Sequence, residues 1–179
     1  GDSQAGKSLL SADIGKHFVE QGGEWLIVCT RDTELYDNSL GYLPPVLKEK
    51  VSILKVESAR QLLVFLREIF SSLNSKLMLI IDDAFSLGFT DLEVTQVYKL
   101  LKMSMSNNKF ALITTQTRIW NGVHLTPAHK LAETITNKLL IFNKLDEDTI
   151  EITDIKNNCT IKLDISRLTG ILNTKRNND

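Results

Sequence analysis

The first eight residues, Gly1-Asp2-Ser3-Gln4-Ala5-Gly6-Lys7-Ser8, fit the pattern G-x-x-x-x-G-K-[ST], and a helical repeat begins where they end. Gly1 and Gly6 let the backbone curl so that successive N–H groups converge on phosphate oxygens. The N-terminus of the following helix adds positive potential at the same spot. In such a loop Lys7 reaches the β- and γ-phosphates, and the Ser8 hydroxyl is a hard oxygen ligand for Mg²⁺. Residues 1–8 are therefore the candidate nucleotide cradle. The loop needs a partner acid at the C-terminal end of an apolar strand, and Asp82 follows Leu77-Met-Leu-Ile-Ile81. Its carboxylate would hold Mg²⁺ through water, with Asp83 a second acid or the start of the next loop.

Two other groupings carry chemistry. No Asp or Glu occurs between Glu93 and Glu133, whereas Lys99, Lys102, Lys109, Arg118 and Lys130 do, with His124 and His129. A one-signed stretch in a nearly neutral protein makes a local anion-attracting surface, although a solvated helix face and a loop lacking acids would read the same way. Asn143-Lys144-Leu145-Asp146 reads as N-K-x-D, the guanine-reading sequence of GTPases, but it fits a hairpin turn equally well.

The elements that must position these residues alternate. Residues 7–21 have apolar positions at helical spacing and stop at Gly22-Gly23. Trp25–Cys29, Val51–Val56, Leu77–Ile81 and Phe110–Thr115 read as strands, and residues 58–73 and 92–106 as amphipathic helices. Residues 33–49 are ambiguous because Pro44-Pro45 breaks any helix, and residues 117–134 lack a regular period. Lys138–Phe142, Thr149–Ile155 and Thr160–Ile165 are short strands joined by turn-forming residues. This order predicts an α/β domain: a mainly parallel sheet flanked by helices, with antiparallel strands over 136–165 at its C-terminal edge. The whole chain, 1–179, reads as one domain. Because it begins inside the phosphate motif, an upstream part with the strand preceding that loop is expected.

Composition agrees. The chain has 179 residues, 42% hydrophobic and 24% charged, with nine Gly and three Pro, which excludes disordered and collagenous classes. Apolar runs such as Leu77–Ile81 are far short of the roughly 20 residues of a membrane span, so no membrane partner is expected. Two cysteines, Cys29 and Cys159, are too few for a secreted disulfide scaffold. A formal net charge of −1 gives no global basic field.

Taken in order, these motifs resemble the ATPase core of the RecA/RadA recombinase superfamily, most of all its divergent eukaryotic paralogues that assist homologous recombination. The likeness spans almost the whole chain: the phosphate loop Gly1–Ser8, the strand Leu26–Thr30, the Walker B-like strand ending at Asp82, and Ala111-Leu-Ile-Thr-Thr-Gln116-Thr. It implies ATP and Mg²⁺ as cofactors and Lys7, Asp82 and Gln116 as catalytic residues. By the same resemblance, Gln116 senses the γ-phosphate and couples it to loop 117–134, where Arg118, Trp120, His124 and Lys130 would bind single-stranded DNA. One position departs from the family. The water-activating glutamate should follow Thr30, yet Arg31 stands there and cannot act as a base at neutral pH. Asp32 or Glu34 would have to substitute, so weak, DNA-dependent ATP turnover is expected. The resemblance further implies sister paralogues and a recombinase filament as partners, in the nucleus. The alternative is a P-loop NTPase with no DNA role: a GTPase read through Asn143–Asp146, or a RecA-fold scaffold subunit of a protein complex.

Overall fold

The structure, a computed structural model, describes residues 6–30, 33–41, 43–121 and 123–164. Helix α1 (Lys7–Glu20) leads to β1 (Glu24–Cys29), two short helices α2 (Glu34–Gly41) and α3 (Pro45–Lys48), and β2 (Val51–Lys55). Helix α4 (Ala59–Val64) continues through a wide π turn at Phe65–Ile69 and a 3₁₀ turn at Phe70–Ser72 before β3 (Leu77–Asp82). Helix α5 (Asp91–Ser104) and β4 (Lys109–Ile113) follow, and the four strands form a parallel sheet in the order β2-β1-β3-β4.

Side-chain alternation along β1 and β3 builds the two layers of the core. Trp25, Ile27, Cys29, Met78 and Ile80 face α1 and α2, packing with Ala12, Val19 and Tyr36. Val28, Leu77, Leu79 and Ile81 face the other way, against Leu62, Leu66, Phe70, Val97 and Leu101 of α4 and α5. Both faces are covered, which is why β1 and β3 read as continuous apolar runs rather than alternating ones.

Local chemistry sets the element ends. Thr90 caps α5 with a complete capping box: its hydroxyl accepts from Glu93 N–H at 3.3 Å, while the Glu93 carboxylate takes Thr90 N–H at 2.9 Å. Pro44-Pro45, rather than ending a helix, opens α3, where Pro at the first turn leaves no intrahelical bond unmade. Residues 33–49 are therefore helical on both sides of the proline pair. Lys109 opens β4 almost fully buried, and its ammonium donates to Phe70 O at 2.9 Å, stopping the helical run before β3.

The C-terminal part differs from the sequence reading. Residues 117–134 contain a hairpin, β5 (Arg118–Trp120) and β6 (Val123–Leu125), then α6 (His129–Ile135). Three-residue strands are too short to show a period. The meander β7 (Leu140–Lys144), β8 (Thr149–Asp154) and β9 (Cys159–Asp164) is antiparallel as expected. Among the described residues, however, it forms a sheet of its own rather than an extension of the parallel one. Its buried Phe142, Ile150 and Ile152 pack on Leu10 of α1, so side-chain burial against a helix, not a shared ladder, joins it to the core. No described helix is long and apolar enough to cross a membrane.

Candidate nucleotide site

The strand alternation that builds the core also aims the site. Asp82 follows Ile80 by two residues on β3, so its carboxylate emerges on the α1 face. Thr114 follows Leu112 in the same way at the end of β4. Ser8, in the first turn of α1, donates its hydroxyl to Asp82 Oδ1 at 2.9 Å, across 74 positions of sequence. Thr114 Oγ1 also donates to Asp82 Oδ1, and it accepts Asp83 N–H at 2.8 Å. A second clamp lies beside it: the buried Thr30 hydroxyl donates to Asp83 O at 2.9 Å and shares a 2.8 Å hydrogen bond with Ser86 Oγ. Asp83 sits in the left-handed region at φ 51°, so it turns the chain out of the strand. Asp83 is thus the start of the next loop, held by its backbone at both ends.

Gly6 precedes α1 with φ 75°, a conformation that favours glycine, and its carbonyl accepts the Leu10 N–H at 3.0 Å. Lys7 is the first residue of α1. Residues Gly1–Ala5 of the cradle lie outside the described residues, as does Asp32; Glu34 opens α2, but its side chain is likewise outside. Neither proposed base is therefore assigned. Gln116 is exposed on the segment between β4 and β5.

Arg118 and Trp120 alternate to one face of β5 and are exposed, Trp120 at 67%. Lys130 is exposed on α6, while His124 contributes only its backbone to the described structure, opposite Ile119. His129 turns inward, with Nε2 3.4 Å from Glu133 Oε1, so it does not belong to the free cations of this region.

The N-K-x-D segment has another use. Asp146 Oδ1 accepts the N–H groups of Asp148 and Thr149 at 2.9 and 2.7 Å, which closes the β7–β8 turn and holds its carboxyl below the usual range. Asn143 and Lys144 pair with Glu151 and Ile150 in the ladder. A carboxylate occupied by its own turn is not available to read a base, so the structure does not favour a guanine site here.

The donor set fits a Mg²⁺–nucleotide site. Mg²⁺ prefers one or two protein oxygens completed by phosphate and water, and one hydroxyl and one carboxylate converge here at a helix N-terminus. No group of three or more His, Cys, Asp or Glu side chains among the described residues forms a fuller cage. The structure brings together Ser8 and Asp82, both singled out from the sequence, with Thr114, which was not; its only signal was a hydroxyl two residues beyond a core position of β4.

No family model and no curated protein matches the sequence. Among solved structures, the chain is similar to the flagellar accessory protein FlaH from Methanocaldococcus jannaschii, with a TM-score of 0.61 at 13% identity, over 87% of this chain and 75% of that one. At this identity the likeness establishes fold alone: a RecA-like, P-loop NTPase architecture.

Proposed function

We propose that the protein binds ATP with Mg²⁺ at Lys7, Ser8 and Asp82 and uses the bound nucleotide to control single-stranded DNA binding by the β5–β6 hairpin. One observation carries the reading. Thr114, which hydrogen-bonds Asp82, is only four residues before Arg118, where the exposed cationic and aromatic hairpin begins. A change at the metal-binding carboxylate therefore has a short covalent route to that hairpin, with Gln116 midway. Arg118 and Lys130 supply charge for phosphates, and Trp120 a flat apolar face for a base. The resemblance to recombinase paralogues gives this activity a setting: a nuclear accessory factor that supports a recombinase filament together with sister paralogues, turning over ATP slowly because Arg31 occupies the family's glutamate position.

The test is binding of a fluorescent single-stranded oligonucleotide with and without MgATP across a salt series. Arg118→Ala with Lys130→Ala should weaken binding and flatten the salt dependence by about one phosphate contact per residue. Trp120→Ala should cost about 1–3 kcal/mol of affinity if it stacks. Unchanged affinity and salt slope in both variants would remove the DNA role. A second reading, a scaffold subunit without DNA, draws on the exposed apolar Ile119, Trp120 and Val123 of the same hairpin and on FlaH, an accessory protein of the same fold. It predicts that these substitutions disrupt a protein complex and leave oligonucleotide binding unchanged.

A further inference from the structure

We infer that a cleft at the N-terminal end of the parallel sheet, between the helical run 59–72 and the end of α5, is a second binding site. Its ligand is a small organic anion, a carboxylate or phosphomonoester carried on an apolar body. The site is separate from the nucleotide reading and does not rest on it. Ser8, Asp82 and Thr114 meet at the C-terminal ends of β3 and β4, whereas this cleft is lined by Lys109, the first residue of β4.

The cleft has a volume of about 470 Å³, within the range of small-molecule sites. Part of its lining is apolar: Leu100 and Met103 of α5, and Met105, the residue that caps that helix. Met103 is 82% exposed. Its unbranched, polarisable thioether can shape itself to an irregular apolar group. Arg67 and Ser71 join the lining from the π and 3₁₀ turns, where the chain has left regular α geometry. Turns of the π kind are common at functional sites.

The charge of the cleft is one-sided. Arg67 and Lys109 line it, and no lining residue is Asp or Glu. Arg67 is exposed and makes no ion pair among the described residues. Lys109 is buried, and its ammonium donates to Phe70 O at 2.9 Å and Ser71 O at 3.4 Å and lies 5.0 Å from the Phe70 ring centroid. These partners are all neutral, so a buried cation stands without a carboxylate to balance it. The negative potential of the two helix ends at the cleft is offset, by Lys109 at one and by Lys102 in the last turn of α5. Asn74, Ser104 and Ser106 also line the cleft, and their side chains make no hydrogen bond among the described residues, so they add free donors. An oxyanion at Arg67 gains charge-assisted hydrogen bonds, and an attached apolar group covers Met103 and Met105. A ligand with both halves therefore binds better than either half alone.

The chain has three methionines, of which Met103 and Met105 line the cleft, so NMR of isotope-labelled methionine methyl groups in the full chain reads the site locally. Met78, buried in the α1-side core, is the internal reference. The probes are hexanoate and hexyl phosphate, with inorganic phosphate and hexanol as the separate halves. The expected result is a saturable shift of Met103 and Met105 with one or both organic anions, a constant Met78 signal, and binding of each half at least about tenfold weaker. The tighter of the two organic anions identifies the headgroup. Arg67→Ala, at an exposed position, should keep the wild-type melting temperature and weaken binding about tenfold, as for a lost hydrogen bond to a charged group, with partial recovery in Arg67→Lys. No saturable shift at either methionine, hexanol binding as tightly as hexyl phosphate, or wild-type affinity in Arg67→Ala would each overturn the site. Hexyl phosphate bound only at the phosphate loop would leave both cleft methionines unshifted, which is the first of these results.

Discussion

Gly15 decides how closely α1, and with it Lys7 and Ser8, can approach the sheet, so Gly15→Ala tests the mounting of the site. An added Cβ would lie 2.2 Å from Trp25 Cε2, 2.5 Å from Cζ2 and 2.6 Å from Cδ2. Ordinary carbon contacts are about 3.5–4.0 Å, so helix or ring must retreat by more than about 1 Å. The ring has little room: Trp25 is 1% exposed and is held edge-on by Tyr36. Two effects oppose each other. Alanine in a helix interior gains about 1 kcal/mol over glycine, whereas overpacking a tight core costs about 1–3 kcal/mol. A clash with the rigid body of a buried indole belongs at the upper end, so the substitution should destabilise by about 1–2 kcal/mol net. For a domain of this size that is a fall of roughly 2–8 °C in melting temperature. Thermal unfolding followed by circular dichroism reads it directly, and nucleotide affinity should fall in parallel as the Ser8–Asp82 contact stretches. In a Trp25→Phe background the six-membered indole ring is gone, so the alanine should cost less than it does alone. A melting temperature that stays or rises in Gly15→Ala, as helix propensity alone dictates, would refute the close seating of α1.

Thr114→Val should lower stability by about 1–3 kcal/mol, read from chemical denaturation, because it leaves Asp83 N–H and one bond to Asp82 unmade in a buried place; an unchanged midpoint would contradict the clamp. Thr90→Ala should cost about 1 kcal/mol, or roughly 2–4 °C, through loss of the α5 capping box, and a melting temperature within error of wild type would count against it. Hydrogen bonds from Asn157 and then Lys138 hold the Asp154 carboxyl below the usual range, so the folded state binds its proton less readily than the unfolded one. That stabilisation is complete above the unfolded value of about 3.9 and disappears as pH falls through the lowered folded value. Asp154→Asn should therefore melt below wild type at neutral pH and converge with it in acid; a constant difference from neutral pH to pH 3 would show that the carboxylate charge is not involved.

Much of the fold was legible because its signals are local. β1 and β3 announced themselves as buried parallel strands by their continuous apolar runs, and the glycine-rich motif set the start of α1. The acid at the end of β3 could be named because a phosphate loop needs one at the C-terminal end of an apolar strand. What sequence could not show were contacts made by topology. Thr114 and Asp82 meet because β4 lies beside β3, a pairing that has no spacing in the chain. The wide turn at Phe65–Ile69 was hidden because π and α geometry share an apolar stripe over so few residues. The meander was recognised as antiparallel from its turns, but its choice of α1 over the edge of β4 depends on where Phe142, Ile150 and Ile152 find cover.

The most direct test of the site is calorimetric titration of the full chain with ATP and with GTP, each with and without Mg²⁺, beside folded Lys7→Ala and Ser8→Ala proteins. The account predicts ATP binding that Mg²⁺ strengthens, that Lys7→Ala abolishes, and that loses its Mg²⁺ dependence in Ser8→Ala. Nucleotide binding indifferent to both substitutions, or none in the wild-type protein, would contradict it.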